Sequence, residues 1–249
     1  LNRFNSFKSF FDASFNVIKQ LAKMILSLTP YGSAALLANT ISSEGWSVLY
    51  GLLNYIFAMY IACLAVLILH SIILAAKGFN PVTYYKKAYL PLLVALTTRS
   101  SYASLSVIEE TLKNKFNVNQ ITASFVPSIG ATLGMNACAG VFPAMLVVMS
   151  MHITHQPITL NLVIIVMCAN VIASLGISGI PGTAYIAAGV SLSFLGLPYE
   201  VIALVYGIDV IIDMIRTPVN VNGIMTTAII TNKSLSYKIE ANKIKIRQI

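Results

Sequence analysis

Charge is what this sequence has least of. Only 10% of its 249 residues are Asp, Glu, Lys or Arg, against about 25% in an ordinary soluble domain. No charged side chain occurs from 116 to 199, which is 84 consecutive positions, and none from 45 to 76. Such gaps exclude a water-covered globule, because an apolar stretch of about 20 residues already spans a bilayer. Alternation is missing as well. Runs such as 160–168 are continuously apolar, which excludes a transmembrane β-barrel built from ~10-residue alternating segments. Cysteine is scarce: Cys63, Cys138 and Cys168 form no CxxC and no Cys/His ligand spacing, so they read as packing residues. Acidic residues are outnumbered 16 to 8 by Lys and Arg. In a soluble protein that excess would point to nucleic acid.

Here the bases sit in short loops and at the ends, which makes them topology determinants and excludes a nucleic-acid partner. Arg3 and Lys8 lie at the start, Lys77, Lys86 and Lys87 in one loop, and Lys233, Lys238, Lys243, Lys245 and Arg247 in the tail. The connections around 42–46 and 152–159 carry no Lys or Arg. By the positive-inside rule the first group is cytoplasmic, both ends included, and the protein belongs in the cell membrane as a multi-pass chain. No signal peptide is visible, and a start at Leu1 suggests a piece of a longer protein.

Periodicity and breakers divide the chain into seven stretches. Residues 1–46 hold an amphipathic lead-in and a span broken at Pro30. Residues 47–87 hold a long span and a cytoplasmic loop. In 88–117 a short apolar piece stops at Thr97, Thr98, Arg99, Ser100 and Ser101, and another runs on to Glu109 and Glu110. About nine apolar residues cannot cross ~30 Å as a helix, so this stretch predicts a re-entrant hairpin. Residues 118–158 form a span interrupted across Gly130–Gly140. The hairpin pattern repeats from the other side in 159–198, broken at Gly176, Gly179, Pro181 and Gly182. A last span follows in 199–232, then a basic tail in 233–249. Interrupted segments at matching positions of two inverted halves point to a transporter binding site.

The last span carries Asp209, Asp213, Arg216 and Asn220 at i, i+4, i+7 and i+11, on one stripe of a helix, with Thr217 beside them. Each ionised residue at the bilayer centre costs about 2.5–3.5 kcal/mol on insertion scales, so the three must face the bundle and pair or bind something. One Arg cannot neutralise two Asp, which leaves room for a cation, a proton or a ligand ammonium. Arg99 at the first tip is a second buried base, a partner either for backbone carbonyls or Asp209 or for substrate. His152 and His155 read as external loop residues and His70 as a helix-end residue, none of them as the proton carrier.

At these residues the chain resembles the dicarboxylate/amino acid:cation symporter family, over nearly its whole length. Thr98-Arg99-Ser100-Ser101 is similar to the family's first-hairpin tip, and Gly130 to Asn136 to its unwound seventh span. Gly179-Ile180-Pro181-Gly182 is similar to the second-hairpin gate, and the Asp209-to-Gly223 motif to the eighth span. The resemblance implies an all-α integral membrane protein of glutamate-transporter-homologue fold, covering spans five to eight with two re-entrant hairpins as inverted repeats. The amino-terminal spans would be missing, and the full-length protein would be a homotrimer in the lipid bilayer.

It also implies roles. Asp213 would hold the substrate α-ammonium, Asn220 with Ser100 and Ser101 the α-carboxylate, and Arg216 a distal carboxylate. Thr217, Cys138 and the tip Gly179, Ile180, Pro181 and Gly182 would complete the pocket. A cation or proton would lie among Gly130, Thr132, Met135, Asp209 and Asn220. Sodium-coupled members have Asn-Met-Asp-Gly-Thr where this chain has Gly134, Met135, Asn136, Ala137 and Cys138, and Asp in place of Ile224. Two carboxylates suited to a hard cation are thereby absent, so the coupling ion is H+ or Na+, and no other cofactor is expected. The pattern is closest to the L-cystine uptake branch. The expectation is therefore a secondary active, cation-coupled L-cystine importer with elevator-type alternating access, and not an enzyme. The alternative is a symporter for glutamate, aspartate or C4-dicarboxylates. A remote one is an intramembrane metal-dependent enzyme that uses Asp209 and Asp213 as a metal pair.

Overall fold

The computed structural model describes residues 2–177 and 179–247; over 236–247, and at scattered positions within the first 44 residues, it describes the backbone path alone. The side chains of the tail bases beyond Lys233 thus lie outside the described residues. All regular structure among the described residues is helical.

Helix α1 (Asn2–Ser27) and α2 (Thr29–Glu44) meet at Leu28, with a proline in the first turn of α2. The break anticipated at Pro30 thus falls two residues earlier, because proline is accepted at a helix start, where its missing N–H costs nothing. Helix α3 (Ser47–Ala76) is 30 residues long, about 45 Å at 1.5 Å per residue. Its mean hydropathy is 2.5 over an 18-residue window that is only 17% buried within the protein. Phe57, Ile61, Leu64, Ile68 and Ile72 point outward. A helix that wears its apolar side chains on the outside is matched to lipid.

Helices α4 (Pro81–Thr98) and α5 (Leu105–Phe116) form an antiparallel pair joined at 99–104. The first helix of this pair begins at Pro81, not at 88 as the apolar run suggested. Asn80 caps it, its side-chain oxygen accepting from the amides of Val82 (2.9 Å) and Thr83 (3.3 Å). The amphipathic turn Tyr84–Lys87 then joins the helix, with Tyr84 buried. Arg99 ends it with a left-handed backbone, φ 52°.

Helix α6 (Gln120–Leu133) stops at Gly134, a π turn follows over Asn136–Val141, and α7 (Phe142–Ile153) completes the span. The interruption is narrower than 130–140, since Gly130 and Thr132 stay helical. A second antiparallel pair comprises α8 (Leu160–Ser174) and α9 (Ala184–Phe194), joined across 176–183. The last stretch divides where one span was expected. Helix α10 (Glu200–Tyr206) ends at Gly207, and α11 (Asp209–Arg247) is 39 residues long, absorbing the basic tail.

Helix α11 is the axis of the fold, packed against α3, α4, α5, α6 and the π turn. From Ile212 to Ile229 nearly every side chain is buried. One core cluster gathers Met59, Phe142, Leu146, Leu192 and Ile212; another gathers Leu74, Tyr84, Ile108, Leu112 and Met225. The first hairpin packs on α6 and α11 and the second on α7 and the π turn, and their tips meet where Ser100 contacts Gly179.

Replacing the α4 cap tests the early start of that helix. In the complete protein Asn80→Ala is expected to lose about 1 kcal/mol and Asn80→Gly only a few tenths. Thermal unfolding in detergent, with hydrogen exchange at Val82 and Thr83, checks both.

Candidate functional site

The charged stripe of α11 is buried. Arg216 is completely inaccessible, and Asp209 and Asp213 are each 3% exposed. One guanidinium nitrogen, Nη2, donates to Asp209 Oδ1 at 2.6 Å and to Asp213 Oδ1 at 3.2 Å. The guanidinium also lies over the Phe142 ring, 4.0 Å from its centroid, a cation–π contact in a desolvated setting. Three polar atoms of this cluster have no hydrogen-bond partner: Asp213 Oδ2, Arg216 Nε and Arg216 Nη1. The cluster therefore offers one free carboxylate oxygen and two free guanidinium nitrogens, Nε with one N–H and Nη1 with two. Its net charge of −1 suits a ligand that brings an ammonium and a carboxylate together.

The surrounding elements complete the enclosure. Asn220 Oδ1 accepts from the backbone amides of Ala137 (2.8 Å) and Cys138 (3.4 Å), and its Nδ2 donates to Cys138 Sγ (3.0 Å). The π turn is thus anchored to α11 where its own helical bonds are irregular. The two hairpin tips touch. Ser100 Oγ donates to the Gly179 carbonyl at 2.8 Å, and Tyr102 N donates to the same oxygen at 3.4 Å. A Cβ at Gly179 would come within 3.0 Å of the Ala131 carbonyl and of Ser101 Cβ, so this approach requires glycine. Between the tips and α11 lies a cavity of about 10 Å3, bounded by Arg99, Ser101, Cys138, Gly179, Asp213 and Asn220. That holds about one water; a drug-sized ligand site needs about 300 Å3 or more. Admitting an amino acid requires a tip to move.

Most of the residues singled out in the sequence converge here. Ile180, Gly182, Met135 and Thr217 also line the cavity. Thr217 Oγ1 lies 3.5 Å from Asp213 Oδ1. Arg216 and Asp209 stand behind the cavity wall, Ser100 is one hydrogen bond away, and Pro181 is not part of the lining. The set read as a cation or proton site is less unified. Gly130 packs against Ile224, and Thr132 Oγ1 shares a 2.9 Å hydrogen bond with Tyr102. The Gly130 and Met135 carbonyls each accept a backbone amide at 2.7 Å. Asp209 belongs with Arg216.

Sequence reasoning missed two groups. Tyr185, in the first turn of α9, donates to Asp209 Oδ1 at 2.9 Å and stacks edge-on against Phe142. The second hairpin is thereby fastened to the charged pair. The signal was a tyrosine in an aliphatic helix, whose hydroxyl must find a partner when buried. His70 is the second. It lies within α3, not at its end, and is buried between Asn136 and Asn222.

Removing one member of the charged cluster leaves the others unpaired, which costs about 3–5 kcal/mol for a buried pair. Arg216→Met in the complete protein is expected to fall in that range. The triple change Asp209→Asn, Asp213→Asn and Arg216→Met should recover much of the loss. Thermal unfolding of the three forms checks this, and a triple variant no better than Arg216→Met would contradict it.

Over 230 residues, 92% of its length, the chain is 35% identical to the L-cystine uptake protein TcyP of Bacillus cereus. It is 36% identical to the protein of that name from Shouchella clausii, again over 92% of the chain. An uncharacterized symporter of Haemophilus influenzae is 39% identical over 88% of it. The chain spans about half the length of the curated relatives it matches. The model of the sodium:dicarboxylate symporter family matches residues 2–234, and with an all-helical fold organised around a buried Asp–Asp–Arg stripe, the chain belongs to that family of membrane transporters.

Proposed function

We propose that the chain forms the substrate- and ion-binding part of a cation-coupled importer of L-cystine in the cell membrane. The observation that carries this reading is the free bonding capacity of the stripe. Asp213 Oδ2 suits an ammonium, and Arg216 Nε and Nη1 form a fork that suits a carboxylate, side by side in a buried site. Ser100, Ser101, Asn220 and the Cys138 amide would take the α-carboxylate. Thr217, Cys138 and residues 179–182 would close over the substrate, and Asp209 would serve as counter-ion to Arg216. Cystine, with two ammonium and two carboxylate groups, uses both ends of such a site. The Bacillus cereus and Shouchella clausii relatives, both L-cystine uptake proteins by name, support that choice.

The hairpins α4–α5 and α8–α9 are read as re-entrant from opposite faces, with both chain ends cytoplasmic. Loading requires breaking the Ser100–Gly179 contact and swinging the 179–182 tip, where Gly182 has φ 87°. Helix α2 meets the remainder chiefly through α3 and α10, and α1 meets chiefly α2. This loose attachment fits a scaffold against which the hairpins, α6, α7 and α11 move as an elevator, within a homotrimer of the complete protein. A second reading, uptake of acidic amino acids or C4-dicarboxylates, is favoured by Arg216 alone.

Uptake of labelled cystine into proteoliposomes containing the complete protein tests the proposal. Accumulation under a proton or sodium gradient is expected, with Asp213→Asn and Arg216→Ala each lowering it at least about 100-fold, the worth of a buried charged contact of ~3 kcal/mol. Unchanged accumulation in both variants sinks the site. Strong competition by glutamate, aspartate or succinate moves the assignment to the second reading.

A further inference from the structure

His70 stands at the centre of a polar chain that the substrate site does not use. Its Nε2 is 2.9 Å from Asn136 Nδ2 and its Nδ1 is 3.0 Å from Asn222 Nδ2. The Tyr84 hydroxyl donates to Asn222 Oδ1 at 2.9 Å. Beside Tyr84 lies the Thr226 hydroxyl, 4% exposed. Gly223 makes this packing possible, since a Cβ there would collide with Asn136 and approach the His70 ring to 3.2 Å. The chain ties together α3, the π turn, α11 and α4 of the first hairpin. An ionisable residue inside a membrane-spanning helix is by default a functional group.

The hydrogen bonds respond to protonation. A neutral imidazole has one N–H and one acceptor nitrogen, whereas an imidazolium has two N–H groups. The ring can therefore accept from only one of the two amide NH2 groups that face it when neutral, and from neither when charged. In the neutral form Asn222 keeps its NH2 on Nδ1, because Tyr84 holds its oxygen, and Asn136 turns its oxygen to Nε2–H. In the charged form Asn222 must turn too. Tyr84 then accepts from Asn222 Nδ2, and its own O–H is released to Thr226 Oγ1, the hydroxyl beside it. The groups facing the ring from its neighbours are these two amides, with Tyr84 and Tyr85 the titratable side chains behind them on α4. No charged side chain acts on it, so no carboxylate traps an arriving proton. A groove of about 270 Å3 between α6 and α11 reaches Asn136, which is half-buried.

We propose that His70 is the binding site of the coupling ion, a proton, and that the amide rotations of Asn136 and Asn222 carry its occupancy to the substrate cavity. Both amides adjoin residues that line or anchor that cavity. Asn136 precedes Ala137 and Cys138, whose amides bond Asn220, and Asn222 follows Asn220 on α11. A proton at His70 thus acts on the π turn and α11 where they hold the site together, and through Tyr84 on the first hairpin. The proposal rests on the importer reading above and specifies its coupling ion.

The test uses the complete protein in proteoliposomes, with labelled cystine and an imposed pH or sodium gradient. Wild-type accumulation is expected to follow the pH gradient. His70→Gln should lose that response, while cystine still protects the purified variant from thermal unfolding. Asn222→Asp places a carboxylate beside the ring and favours its charged form, so the alkaline limb of the uptake profile should move about one pH unit upward. A merely structural histidine would not produce that shift. Wild-type accumulation driven by sodium alone, pH-driven accumulation by His70→Gln, or an unmoved profile in Asn222→Asp overturns this proposal and leaves the importer reading standing. Wild-type protein that accumulates no amino acid under either gradient overturns both.

Discussion

A guanidinium shared by two carboxylates in a fully buried place is the constraint on which the rest of the structure depends. Arg216 cannot be solvated where it lies, so its charge is met by Asp209, by Asp213 and by the face of the Phe142 ring. Buried pairs of this kind contribute little net stability, because desolvation offsets most of the Coulomb gain. They do specify arrangement. To keep the stripe away from lipid, α11 occupies the centre of the bundle, with α3, α4, α5, α6 and the π turn packed around it.

Surrounding a charged stripe is not enough to make a site; polar backbone must also reach it. In hydrocarbon, non-helical backbone survives only when it is buried in protein or lines a cavity. The two hairpin tips and the π turn satisfy that condition jointly. Ser100 and Tyr102 donate to Gly179, and Asn220 takes the π-turn amides. The tips satisfy one another and α11 satisfies the π turn, so moving one tip frees groups on the other. Tyr185 adds a link from the second hairpin to Asp209, so a movement of α9 and a change in the charged cluster are coupled.

A second polar chain, from Asn136 through His70 to Thr226, runs beside the first but shares no hydrogen bond with it. The two meet only through the backbone of the π turn and of α11. That separation lets a charge change at one be felt at the other through position, without direct contact between the groups that bind.

The 84-residue gap without charge, the spacing of Asp209, Asp213, Arg216 and Asn220, and the paired Gly- and Ser-rich breaks were sufficient to establish a helical membrane protein with a buried charged stripe, because period and polarity are local properties of the chain. Element ends were less legible. The start of α4 at Pro81 depends on Tyr84 finding a buried place, and the length of α11 reflects continuation past Ile230 where polarity alone suggested a separate tail. Partners across the fold were not legible at all. Tyr185 and Asp209 are 24 residues apart, and His70 and Asn222 are 152 apart. Hydropathy places a residue in or out of lipid, but only packing decides which buried donor meets which acceptor.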